Sequence, residues 1–157
     1  VIHSFTTLSL GGFSSHDASF AYFDSPLLEG IAILFMMIAG INFATHFLVW
    51  RSLSLKHYLA DTEARYFVLV IAVSAAGIST LLYSSGAYSD WWSALRYATF
   101  NIVSVGTTTG YATADYSLWP VFAPLWILFL GTFLSCSGST GGGIKMMRAL
   151  ILYKQVY

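Results

Sequence analysis

Val105 to Asp115 reads V-G-T-T-T-G-Y-A-T-A-D, three threonines running into a glycine and an aromatic residue between two apolar stretches. Hydroxyls and backbone are what this stretch offers, so its chemistry is coordination rather than covalent bond-making. Such backbone can set a row of carbonyl oxygens in front of a dehydrated cation, as Thr-Val-Gly-Tyr-Gly loops do in selectivity filters. Gly110 admits the dihedrals that turn carbonyls inward, which a β-carbon would hinder. Taken alone, T-T-T-G-Y is also an ordinary turn. A second copy makes it informative. The chain opens on H-S-F-T-T-L-S-L-G-G-F-S-S-H-D, and Gly12 aligns with Gly110 at a spacing of 98 residues. Ser9 then meets Thr107, Phe13 meets Tyr111, Ser14 meets Ala112 and Asp17 meets Asp115. Each loop runs on to a proline, Pro26 or Pro120, of the kind that opens a helix because it has no N–H to satisfy. Internal duplication is a common way to build transport proteins.

The elements around these loops must be apolar helices. Of 157 residues, 57% are hydrophobic, 17% aromatic and 9% charged, against about 25% charged in a soluble domain. Mean hydropathy is +0.69. These values indicate an integral membrane protein, and the apolar runs described below read as its helices, an all-α fold. Net charge is zero, which gives no electrostatic case for nucleic acid. The single cysteine, Cys136, forms no internal disulfide. The chain begins at Val1, inside a motif and without a methionine or charged leader, so it reads as part of a longer protein.

Residues Val1 to Ser25 read as a polar-aromatic loop. Leu27 to Trp50 is an apolar run long enough to cross a bilayer, with Asn42 and His46 on one face. Arg51 to Arg65 is a polar linker whose charges read as a solvated face. Tyr66 to Tyr83 is a second span, with small residues suited to close helix contact. Asp90 is placed to cap Trp91 to Val105, which is too short to span and reads as a re-entrant helix carrying the second loop. Trp119 to Leu134 is apolar and runs into S-C-S-G-S-T-G-G-G, after which Ile144 to Tyr157 resumes helical character. Free backbone at membrane depth must be satisfied by protein or by a water-filled path, so a broken helix lining such a path is expected. The organisation reads as residues 1–55 for one loop and its following helix, 56–65 for a cytoplasmic linker, and 66–157 for the next unit. This path puts Arg51, Lys56, Arg65, Lys145, Arg148 and Lys154 on one side, the cytoplasmic side by the positive-inside rule. Arg96 is the exception, inside the short helix.

Two other chemistries are set aside. G-S-T-G-G-G-I-K lacks the lysine directly after glycine that a phosphate-binding loop requires. An intramembrane serine protease at Ser137 or Ser139 is the alternative from another class. It needs a base, and none of His3, His16, His46 and His57 has a spacing that ties it to that loop.

The loops L-S-L-G-G-F-S-S-H-D and S-V-G-T-T-T-G-Y-A-T-A-D resemble those of the TrkH/TrkG bacterial potassium-uptake proteins of the Trk/Ktr/HKT superfamily. C-S-G-S-T-G-G-G-I-K followed by M-M-R-A-L resembles the same group, and the likeness covers essentially the whole chain. The resemblance implies four M1–P–M2 repeats around one pore, of which this chain supplies parts of the second and third. It implies that Leu10, Gly11, Gly12, Thr108, Thr109 and Gly110 coordinate K+ through their carbonyls, with Ser9 and Thr107 in support. Leu10 departs from Thr108 in type, which matters little where only carbonyls coordinate. It further implies a gating loop containing Ser137, Gly138, Ser139, Thr140, Gly141, Gly142 and Gly143. No enzymatic step and no cofactor is expected beyond K+ as the transported ion. The expected partners are the remaining repeats, a second copy in a homodimer, membrane lipid and a cytosolic nucleotide-binding regulatory subunit (TrkA-like). The expected location is the bacterial inner membrane. A sodium-permeable relative and a non-conducting membrane scaffold are the other readings.

Overall fold

The computed structural model describes residues 1–156, so Tyr157, at the end of the second unit, lies outside the described residues. The order is α1 (Ile2–Leu8), a 3₁₀ turn (Ser19–Phe23), α2 (Pro26–Gly40), α3 (Phe43–Ser52), α4 (Lys56–Ala60) and α5 (Thr62–Ser84). It continues with α6 (Trp91–Gly106), a second 3₁₀ turn (Tyr116–Leu118), α7 (Phe122–Phe133) and α8 (Met146–Val156). The described residues form helices and loops without strands.

Among the described residues α5 is the one helix long and apolar enough to cross a membrane by itself. Its 23 residues extend about 35 Å. Asp61 caps it, accepting hydrogen bonds from the backbone of Glu63 at 2.9 Å and Ala64 at 3.4 Å. α6 lies at the centre, packed against α2, α5 and α7. Its residues 100 to 104 are all buried, so this end of the helix is enclosed on every side rather than along one stripe. Asp90 caps its start, accepting from Ser93 N at 3.0 Å. The helix stops at Gly106, about 24 Å along, and the threonine loop follows at once. The outer faces of α2, α5 and α7 leave Leu27, Leu34, Val73, Leu125 and Leu128 exposed, which suits a chain facing lipid and other helices rather than water.

Three readings of the sequence change here. Leu27 to Trp50 is not one straight span: α2 and α3 meet at a 95° bend. Asn42 is not on a helix face with His46 but caps α3, its Oδ1 accepting from Ala44 N at 2.9 Å. Val1 to Ser25 is not wholly loop, since α1 precedes the first copy of the glycine motif just as α6 precedes the second. Both helices after the loops break and the breaks meet, α2 after Gly40 and α7 after Phe133, with Cys136 N donating to Gly40 O. The first break is two residues long, and the second opens into the serine-glycine segment.

Arg96 on α6 is clamped to the first unit. Its Nε and Nη2 donate to Glu29 at 2.7 Å each, and Nη2 also reaches Asp24 at 3.0 Å. The Glu29 side chain is 2% exposed, so losing Arg96 would leave it buried without its ion-pair partner. Replacing Arg96 by methionine should lower the stability of the full-length protein by about 3 kcal/mol, the low end of what stranding a buried charge costs, because Arg96 itself is 27% exposed. Thermal unfolding in detergent checks this, and Arg96→Lys should fall between methionine and wild type.

Candidate functional site

The two glycine loops are built by the same hydrogen bonds at the same spacing. Gly11 N donates to Thr6 O at 2.9 Å, and Thr109 N donates to Ser104 O at 2.7 Å. Leu10 N donates to Thr7 O as Thr108 N donates to Val105 O, at 3.3 and 2.9 Å. The Thr6 hydroxyl donates to Phe13 O at 3.0 Å where that of Ser104 donates to Tyr111 O at 2.7 Å. Ser9 Oγ and Thr107 Oγ1 donate to the carbonyls of Thr6 and Ser104, at 3.5 and 3.3 Å. Each pair is separated by the 98 residues between Gly12 and Gly110. The duplication is thus one of backbone geometry, carried by few identical residues.

Left-handed dihedrals recur at matching positions. Leu10 has φ 54° and Gly12 65°, while Thr108 has 64° and Gly110 89°. Gly11 and Thr109 between them are not positive. A branched or bulky residue at positive φ is strained, and such strain persists where the surroundings enforce it, typically at functional sites. The loops also touch. A β-carbon on Gly12 would lie 1.9 Å from Thr109 O, so only glycine lets the two backbones approach this closely. Tyr111, fully buried, ties the copies together from behind: its hydroxyl hydrogen-bonds Thr6 Oγ1, takes a hydrogen bond from Thr7 Oγ1 at 3.4 Å and donates to His3 O at 3.3 Å.

The serine-glycine segment lies against both loops at once. Thr140 Oγ1 donates to Leu8 O at 3.2 Å, and Gly142 N donates to Thr108 Oγ1 at 2.7 Å. A β-carbon on Gly141 would come within 3.0 Å of Thr107 O. The segment is then folded on itself and on its flanks. Ser135 Oγ donates to Gly142 O at 2.6 Å, Lys145 Nζ donates to Gly141 O, and Ile144 N returns to Thr132 O on α7 at 2.7 Å. Cys136 N donates at 3.2 Å to Gly40 O, a carbonyl freed where α2 breaks. Much of its polar backbone thus finds partners within the protein, as membrane depth favours. Ser139 Oγ donates to Cys136 O at 2.7 Å and Ser137 Oγ to Glu63 at 2.8 Å. Among the described residues neither serine is hydrogen-bonded to a histidine, so the arrangement a serine protease needs is not assembled.

The structure brings all thirteen residues singled out from the sequence, Leu10 to Gly12, Thr108 to Gly110 and Ser137 to Gly143, into one connected cluster, with Ser9 and Thr107 supporting it. Sequence reasoning missed the anchors. Asp61 and Glu63 do not belong to a solvated face: Glu63 is 2% exposed, and Asp61 accepts from Thr45 Oγ1 at 2.5 Å. Their partners lie on other elements, and nothing local in the linker marks them. Outside the membrane segments, Asp115 receives hydrogen bonds from the Ser117 hydroxyl at 2.6 Å and N–H at 3.0 Å. These hold its carboxyl below the usual carboxylate range, so it stays negative at the end of the second loop. Removing the Tyr111 hydroxyl (Tyr111→Phe) should cost about 1–2 kcal/mol of stability, read as a lower melting temperature of the full-length protein in detergent.

The chain is similar to known proteins along nearly its whole length. The profile of TrkH, described as cation transport protein, matches residues 1–157. The Trk system potassium uptake protein TrkH of Halomonas elongata is 44% identical over 154 residues, and that of Escherichia coli K12 is 40% identical over 153. Each alignment covers 98% of this chain and 32% of the relative. The crystal structure of the potassium transporter TrkH from Vibrio parahaemolyticus superposes with a TM-score of 0.94 at 38% identity, covering 98% of this chain and 33% of that one. The chain spans about a third of the length of the relatives it matches. With its duplicated loops, its broken helices and a profile match from end to end, the chain belongs to the TrkH family of cation transport proteins, and its fold is that of a membrane protein.

Proposed function

We propose that this chain forms two adjoining quarters of a potassium-selective filter, with the intramembrane gate that closes it, in a bacterial inner-membrane uptake protein. The observation that carries this is the alternation of left-handed dihedrals at Leu10 and Gly12 and at Thr108 and Gly110. In a β-strand successive carbonyls point to opposite sides. Alternating the sign of φ turns neighbouring peptide planes the same way, so the carbonyls of Leu10, Gly11 and Gly12 and of Thr108, Thr109 and Gly110 can face one axis and replace an ion's water. The loops meet at Gly12 and Thr109, as neighbouring quarters of one filter should. The C-terminal end of α6 adds partial negative charge directly behind the second loop.

The remaining repeats of the full-length protein complete the pore, and membrane potential draws the ion inward. A unit charge gains about 2.3 kcal/mol per 100 mV, enough to concentrate a cation without a chemical step. The segment from Ser137 to Gly143 lies across the cytoplasmic end of the filter, where it blocks conduction until displaced. The linker around α4 and the basic end of α8 face the cytosol and offer the docking surface for a nucleotide-binding regulatory subunit. The working form is a homodimer embedded in lipid.

Uptake tests the filter. Cells deficient in potassium transport and expressing the full-length protein should accumulate rubidium well above sodium. Gly12→Ala should abolish this while the protein still reaches the membrane, because the added carbon collides with Thr109 O. Equal rubidium and sodium uptake by wild type would make this a sodium-permeable relative. An active Gly12→Ala variant with unchanged selectivity would remove the filter assignment.

A further inference from the structure

Resting on the reading of Ser137 to Gly143 as the gate, we propose that Glu63 is the latch that holds this gate shut and the point where cytoplasmic movement reaches it. Glu63 sits in the first turn of α5 and is 2% exposed. Among the described residues the donors that reach it both come from the gate: Ser137 Oγ at 2.8 Å and Ser137 N at 3.2 Å, the latter also 3.4 Å from the second carboxyl oxygen. Burying a carboxyl group without hydrogen bonds is costly, so withdrawing the segment from Glu63 is penalised. The interaction favours the position in which the segment lies against the loops.

The neighbouring residue is held from another element. Phe43 N, in the first turn of α3, donates to Gly138 O at 3.0 Å. α3 and the start of α5 are joined to each other, since Thr45 Oγ1 donates at 2.5 Å to Asp61, the cap of α5. α4, the short helix of the linker, runs between them and packs on both. The Ser137–Gly138 corner is therefore gripped by the two helix ends that the linker connects. The other end of the same segment engages Leu8 O and Thr108 Oγ1. A shift of α4 that separates α3 from α5 would loosen the corner first and draw the rest away from the loops, a small displacement acting on an element with two arrangements. Glu63 acts as a positioning residue: it touches the gate and not the ion.

The test is a double-mutant cycle in the full-length protein. Glu63→Gln keeps the size of the side chain, and Ser137→Ala removes one donor. Each should raise rubidium flux in the absence of the regulatory subunit by about three- to tenfold, the factor that one ordinary hydrogen bond contributes to an equilibrium. Together they should do no more than the larger single change, and the rubidium-to-sodium ratio should stay at its wild-type value. A purely structural defect would instead reduce flux or selectivity. Wild-type flux in both single variants, or effects that multiply, would overturn the latch. Deletion of Gly141 to Gly143, measured alongside, separates the two levels. If the deletion raises flux and the substitutions do not, the gate stands and Glu63 is not its latch. If the deletion leaves flux unchanged in a protein that reaches the membrane, the gating reading itself falls.

Discussion

Left-handed dihedrals at alternate residues of two matching loops are the constraint that organises this molecule. It accounts for glycine at positions 12 and 110, and for the enforced strain at Leu10 and Thr108. Strained backbone persists only where its surroundings over-determine it. Here those surroundings are the ends of α1 and α6, whose final carbonyls and hydroxyls hold the two loops through the same set of bonds. Tyr111 fills the space behind them and fastens one copy to the other.

The same economy governs the helices that follow. A membrane helix that breaks exposes carbonyls and N–H groups that lipid cannot satisfy. The two breaks meet this need together: Gly40 O, left free by one, accepts from Cys136 N in the other. The serine-glycine segment can then leave helical geometry, with bonds that run to α1, α2, α3, α5, α7 and the second glycine loop. Its position is consequently tied to how those elements are arranged.

Features encoded locally were legible in the sequence. The order of hydroxyl, glycine, aromatic and aspartate revealed the duplicated loops, and the length of Trp91 to Val105 with Asp90 before it revealed α6. Features that depend on distant partners were not. The bend after Gly40 hides in an unbroken apolar run, and Asn42 looks like any polar residue on a helix face until its capping role is seen. α1 has too few residues and too little apolar periodicity to stand out. Glu63 sits among Arg51, Lys56 and Arg65, where a surface charge is the ordinary expectation, and its partner Ser137 is 74 residues away. Arg96 and Glu29, 67 residues apart, each look like an isolated charge in an apolar segment. Only their meeting explains both.

The most direct test of the central claim is to locate the ion. Anomalous diffraction from crystals of the full-length protein grown in rubidium should show density on the axis faced by Leu10 to Gly12 and Thr108 to Gly110, within coordination distance of their carbonyl oxygens. Rubidium bound elsewhere, with these carbonyls turned away from it, would contradict the account.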